Sequence, residues 1–234
     1  MQELMETGIP NPWAEIEIGV PPYYHSADRL LLERHNRRVD EKHRLPLDVY
    51  PEPYIGDPKA PVLLLNLNPG YDASSPKFHA VRAVAELCVR NLRHEWESYP
   101  FYPLNPVYLQ NGGSLWWSLS LRAWTEEFGI ERVSRGFFVI EYFPYASPRY
   151  RALGEALPSQ RYAFALARAK VRAGCVVIIM RQAENWIRTV PELRAGAFTV
   201  NNPQSKSLSP SGPGRAGNLS ASAVKRVREA LRGL

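Results

Sequence analysis

The sequence holds only two cysteines, Cys88 and Cys175, and no CxxC or HExxH spacing. That is too few thiolates for a four-cysteine zinc site or an iron–sulfur cluster, so an all-cysteine metal centre is excluded. It has no run of 18 uncharged apolar residues, and its start, MQELMETGIP, lacks a basic segment followed by an apolar one. The expected location is therefore cytoplasmic, with reduced thiols and no membrane partner. No Lys-Ser/Thr pair follows the stretch Gly212 to Gly217, which rules out a P-loop, and no GxSxG elbow marks a hydrolase serine. The five histidines, His25, His35, His43, His79 and His94, are scattered without partners at ligand spacing. No cofactor is expected.

What is present is ordinary globular composition: 234 residues, 45% hydrophobic and 22% charged. This is enough chain for a sizeable core and unlike a disordered segment. The charge is distributed unevenly. Residues 1–148 carry 14 Lys and Arg against 19 Asp and Glu, whereas residues 149–234 carry 15 against 4. Arginine supplies 23 of the 29 basic residues, and its planar fork suits phosphate, so the basic C-terminal third points to a polyanionic partner such as DNA. A merely solvated basic surface would give the same count.

Prolines at Pro10, Pro12, Pro21, Pro22, Pro46, Pro51, Pro53 and Pro58 break up the first 60 residues. This segment reads as an irregular extension packed on a core formed by residues 61–234, with one helix over Ser26–Glu41. The apolar run Val62–Leu67, bounded by Pro61 and by Asn68-Pro69-Gly70, reads as a strand buried on both faces. Helical spacing follows over Lys77–Arg93 and Leu115–Phe128. Strands are predicted over Phe137–Tyr142, Cys175–Met180 and Ala197–Val200, alternating with helices over Ser159–Ala173, Ala183–Leu193 and Leu219–Leu231. Such alternation predicts an α/β fold: a three-layer α/β/α sandwich around a central, mostly parallel four-stranded sheet. Ligand sites of such sheets lie at the carboxyl ends of the strands. Three polar segments fall there: Asn68-Pro69-Gly70, Glu141-Tyr142-Phe143-Pro144 and Asn201-Asn202-Pro203.

Asn68-Pro69-Gly70 is good turn chemistry, and it also holds an amide where it can orient a water above the sheet. Asn68-Pro69-Gly70 after an apolar strand, and Asn202-Pro203 before a Ser-rich loop holding Leu208, together resemble the uracil-DNA glycosylase superfamily, in particular its mismatch-specific branches. The resemblance covers roughly Pro61 to Leu234. It implies catalytic roles for Asn68, which would position water, and for Asn202, which would polarise a base carbonyl. It further implies a base pocket with Tyr71 at its wall, Phe78, or else Trp116 or Phe143, stacked on the base, and Glu141 or Tyr142 at the base edge, with Asn66 close by. Leu208 would be the wedge that fills the gap left by an extruded base, and Lys206, Arg215, Lys225, Arg226 and Arg228 would contact phosphates. The implied protein is a metal-free monomer that hydrolyses the N-glycosidic bond of a flipped, uracil-like deaminated or damaged base in DNA. A protein that keeps the fold but only binds nucleic acid or nucleotide, and a hydrolase of free nucleosides, are the alternatives. Three residues depart from the family pattern. Asn66 stands in place of Gly, Gln204 in place of Ser, and Glu141 brings a carboxylate that only accepts hydrogen bonds unless burial keeps a proton on it.

Overall fold

The computed structural model describes residues 7–96, 98–108, 112–211 and 216–234. Five strands form one mixed sheet: β1 (Tyr54–Ile55), β2 (Val62–Asn66), β3 (Phe137–Glu141), β4 (Val176–Ile179) and β5 (Phe198–Thr199), in the order β1-β3-β2-β4-β5. The last four run parallel, and β1 pairs antiparallel with β3. The sheet is therefore not the four-stranded one expected. Its extra edge strand comes from the proline-rich segment, and at two residues it is too short to show a period in sequence.

The helices are α1 (Arg29–Arg38), α2 (Ser75–His79), α3 (Arg82–Leu92), α4 (Gly112–Ser120), α5 (Arg122–Phe128), α6 (Ile130–Gly136), α7 (Gln160–Arg172), α8 (Ala183–Thr189) and α9 (Ala221–Arg232). Two long helical patterns are each broken in two, at Ala80-Val81 and at Leu121, and α6 was not predicted. The strand residues divide by parity. Leu63, Leu65, Phe138, Ile140, Val177 and Ile179 pack with α1, α3, α7 and α8. Val62, Leu64, Phe137, Val139, Val176 and Ile178 pack with α4, α5, α6 and α9 on the other face. Helices thus cover both faces, which is why β2, β3 and β4 read as unbroken apolar runs.

Residues 7–60 are more than a cover. Trp13, Leu32, Leu45 and Tyr50 are buried in the first of these cores, so a boundary at residue 60 cuts through one hydrophobic interior. Asp28, fully buried, accepts hydrogen bonds from Tyr145 Oη (2.7 Å) and from Ser159 N (3.1 Å) and Oγ (2.5 Å). These three bonds satisfy a carboxylate that would otherwise be costly to bury, and they pin the loop after β3 to the start of α7. Gly56 ends β1 at φ 102°, where a Cβ would lie 2.8 Å from Phe137 O, so the turn into β2 needs glycine. In the order of the parallel strands, the chain leaves β2 for β3 on one side and then passes back to β4 on the other. The switch point of the sheet lies at the carboxyl end of β2, the position where open α/β sheets place their ligands.

Candidate active site

A cavity of about 390 Å³ opens at that point, within the usual size range for small-molecule sites. Its lining joins the ends of β2, β3 and β4 to α2, α4 and the segment before β1. Asn66, Asn68, Tyr71, Phe78 and Glu141, far apart in sequence, all reach it.

Asn68 lies in the turn that leaves β2. Its Nδ2 donates to Pro69 O (2.8 Å), to Ser147 Oγ (3.0 Å) and, at the limit of hydrogen bonding, to Tyr145 O (3.5 Å). The amide is thereby fixed with its nitrogen turned to the protein, and Oδ1 has no hydrogen-bond partner among the described residues. The loop that accepts these bonds is the one that Asp28 holds through Tyr145, so the N-terminal segment buttresses the Asn68 anchor. Phe78 lines one wall together with Trp116 and Trp117, and Tyr71 Oη donates to Asp48 (3.1 Å).

The floor is acidic. Asn66 and Glu141 are direct partners in the β2–β3 register, so parallel pairing puts their side chains side by side, and Asn66 Nδ2 donates to Glu141 Oε1 (3.0 Å). Two of the three departures from the family pattern are thus bonded to each other. Glu141 is only 3% exposed, and its Oε2, like Asn66 Oδ1, is buried without a hydrogen-bond partner. Burial drives the Glu141 carboxyl up to about 8; Glu52 adds to the rise, while Asn66 and Arg181 oppose it. Glu52 borders the same cavity and takes a hydrogen bond from Tyr102 Oη. It keeps some exposure on the cavity side, but the protein around it removes enough water to raise it to about 7. His79, on α2, is pushed down to about 4 by burial and accepts the Tyr50 N–H through Nδ1 (3.1 Å), so it is neutral at physiological pH.

Other expected site residues lie elsewhere. Tyr142, the residue after β3, points to the opposite face from Glu141, where it packs on Phe164 and Trp186 and bonds Thr189 Oγ1 (3.1 Å); it does not line the cavity. Asn202 is exposed outside the cavity, with its Oδ1 accepting the Gln204 N–H (2.9 Å). Leu208 is fully buried in the core, its backbone bonded to Ser120 O (3.0 Å) and Trp124 Nε1 (2.9 Å), so it is not an exposed wedge. The Ser-rich loop around it is held by its own side chains. Ser205, Ser207 and Ser209 Oγ each accept a backbone N–H, and buried Asn218 bonds the carbonyls of Asn202 (3.2 Å) and Ser207 (2.7 Å). Low complexity in sequence concealed a string of serine turns around an apolar anchor. Leu208→Ala is expected to cost about 2–5 kcal/mol of stability, read as a lowered denaturation midpoint with an unchanged slope; a wedge would lose DNA binding instead.

Of the residues expected to meet phosphates, Lys206 is exposed in the loop after β5; Arg228 is paired with Glu127. Arg226, on α9, borders a separate shallow cleft with Lys59, Pro61 and Cys175, at the amino end of the strands and away from the cavity. Lys225, exposed one residue earlier, faces Glu229 at 4.0 Å. Arg215 and the rest of the Gly212-Pro213-Gly214-Arg215 stretch lie outside the described residues, as does Asn111. Sequence reading missed Glu52 and Arg181. Arg181 directly follows the apolar run of β4, a strand-end position that could have revealed it, and it lines the cavity without a salt bridge among the described residues. Glu52 left no signal, being one acid among prolines.

Among the described residues, no group of three or more His, Cys, Asp or Glu is placed to hold a metal ion, and no helix is long and apolar enough to cross a membrane. The chain matches no family model, no curated protein and no solved structure.

Proposed function

We propose that this protein is an N-glycosylase that hydrolyses the bond between sugar and base of a nucleotide whose extruded base lodges in the cavity, on a three-layer fold like that of the uracil-DNA glycosylases. The observation that carries this reading is Asn68: an amide clamped through its nitrogen, its oxygen unpartnered, at the mouth of a cavity walled by Phe78 and floored by paired polar side chains. Bond cleavage leaves positive charge on the sugar and electrons on the base. Catalysis therefore requires a held water beside the anomeric carbon and groups that stabilise the departing base. Asn68 Oδ1 supplies the first as an acceptor for water. The floor supplies the second. Phe78, Trp116 and Trp117 offer aromatic surface to a planar ring.

DNA enters through charge. Lys77, adjacent to Phe78, Arg149, two residues beyond Ser147, Arg181 and Lys206 surround the carboxyl end of the sheet, with no salt bridge among the described residues. The positions of Asn202 and Leu208 favour a second reading, in which the protein binds nucleotide or nucleic acid without turnover, since they take one catalytic group and the wedge away from the cavity.

Labelled oligonucleotides carrying uracil, hypoxanthine, xanthine, or a G·T or G·U mismatch, treated with alkali after incubation at low salt, separate the two readings. The glycosylase reading expects a strand break at one of these bases with wild-type protein and none with Asn68→Ala. Intact strands together with salt-dependent binding favour the second reading, because phosphate contacts release counterions whether or not chemistry follows.

A further inference from the structure

The acidic floor is more than a hydrogen-bonding surface. We propose that Glu141 is a general acid that protonates the departing base, with Glu52, beside it on the segment that leads into β1, tuning it. This rests on the glycosylase reading above and adds to the water held by Asn68 a second catalytic group on the opposite side of the bond.

The argument starts from geometry. The register of β2 and β3 fixes Glu141, a residue that lines the cavity, against Asn66, which occupies Oε1 and leaves Oε2 buried and unpartnered. A buried carboxylate oxygen without a donor is costly, whereas a carboxylic acid with its proton on Oε2 has a hydrogen bond to give as soon as a ring nitrogen or oxygen arrives. The titratable and charged groups that face this cavity are Glu52 and Tyr102 on one side, Arg181 at the end of β4, and Tyr71, Asp72 and His79 around α2. His79 is neutral and Tyr71 is raised above its ordinary range, so neither delivers a proton as readily near pH 7. Burial puts Glu141 at about 8, so it holds its proton at neutral pH and is matched to the task. Glu52 ionises at about 7, and its negative charge then holds the Glu141 proton more tightly.

The step balances. The C1′–N bond breaks with its electron pair passing to the base, and the Glu141 Oε2–H proton transfers to a ring nitrogen or exocyclic oxygen of that base. Water held by Asn68 forms the new C1′–O bond and loses its second proton to solvent, and Glu141 regains a proton from solvent. The net reaction is hydrolysis. An acid at this position extends the chemistry to bases that leave poorly as anions, since a protonated base departs neutral.

The test is the pH profile of single-turnover cleavage of the base identified above, from pH 6 to 10. It is run with wild type, Glu141→Gln and Glu52→Gln, beside binding of the same oligonucleotide carrying a 2′-fluoro sugar, whose electron-withdrawing fluorine blocks the cationic step. Wild-type rate is expected to fall above about pH 8. Glu141→Gln is expected to lose about 10²–10³-fold in rate and the alkaline limb, with binding kept within about threefold. Glu52→Gln is expected to move the limb to lower pH, a shift that a purely structural role would not produce. The infrared carbonyl band of a protonated carboxyl is expected at pH 7 in Glu52→Gln, where Glu52, itself half-protonated at this pH, no longer contributes, and is lost when Glu141→Gln is added to that variant. Cleavage that is flat across this range, or Glu141→Gln turning over like the wild type, overturns the acid while leaving the glycosylase standing. A missing infrared band also overturns it, without reference to turnover. If the wild type cleaves no base, the glycosylase reading falls and the acid with it.

Discussion

Asn68→Ala is expected to lower the single-turnover rate of base release by about 10²–10³-fold while leaving binding of an uncleavable oligonucleotide nearly unchanged. The side chain is small and half-exposed, and its bonds go to one loop, so its removal opens no large gap in the core. What is lost is the orientation of one water. Asn68→Asp gives a sharper result. A carboxylate is the stronger base, and chemistry alone predicts a faster enzyme. The structure predicts otherwise at neutral pH, because position 68 turns its nitrogen toward the Pro69 carbonyl at 2.8 Å, with the Tyr145 carbonyl at 3.5 Å. An ionised Asp in that rotamer would set lone pairs against lone pairs and must rotate away. Asn68→Asp is therefore expected to stay well below wild type at pH 7 and to regain activity toward acid, where a protonated carboxyl can donate to Pro69 O as the amide does. A variant that exceeds wild type at pH 7 would show that the anchor does not fix this side chain.

The second large effect is on stability. Glu141 has a folded-state pKa of about 8 against an unfolded value near 4.5. Below pH 4.5 the group is protonated in both states and costs nothing in linkage. Between these values the unfolded chain releases a proton that the folded one retains, so stability falls as pH rises and levels off above about 8. The accumulated loss is about 5 kcal/mol. Glu141→Gln removes the titration and keeps the shape and the hydrogen-bonding options. It is expected to match wild type near pH 5 and to exceed it by several kcal/mol near pH 9 in urea unfolding, which is a large share of the stability of a domain. Equal midpoints at pH 9 would mean that Glu141 is solvated or otherwise paired. The same substitution that removes the proposed acid thus stabilises the fold, the pattern expected where a site is held in a costly state for function.

The strands and the site were legible in sequence to different degrees. β2, β3 and β4 fell within their expected ranges because each is a short apolar run between turn signals, and burial on both faces demands that pattern. Asn66, Asn68 and Glu141 could be singled out because strand ends in a parallel sheet are where ligand groups collect, so a polar residue closing an apolar run carries positional information. The breaks at Ala80-Val81 and Leu121 were not legible, because helical periodicity continues across them and only tertiary packing decides where a helix bends. Leu208 and Tyr142 show the same limit. A lone leucine in a serine loop reads as an exposed wedge until Ser120 and Trp124 are seen to hold its backbone in the core, and the choice between Glu141 and Tyr142 needs the face of β3 that borders the cavity.

The sequence by itself determined an α/β chain with a basic C-terminal third, a polar turn at the carboxyl end of its first long strand and a glutamate at the end of the next, because these follow from composition and local period. Only the tertiary structure decided that Asn66 and Glu141 are register partners, that Glu52 from the proline-rich segment joins them, and that Arg226 lies at the opposite end of the sheet. Register, burial and the pKa values that follow from them are properties of residues remote in sequence and brought together by the sheet, and no local pattern encodes them.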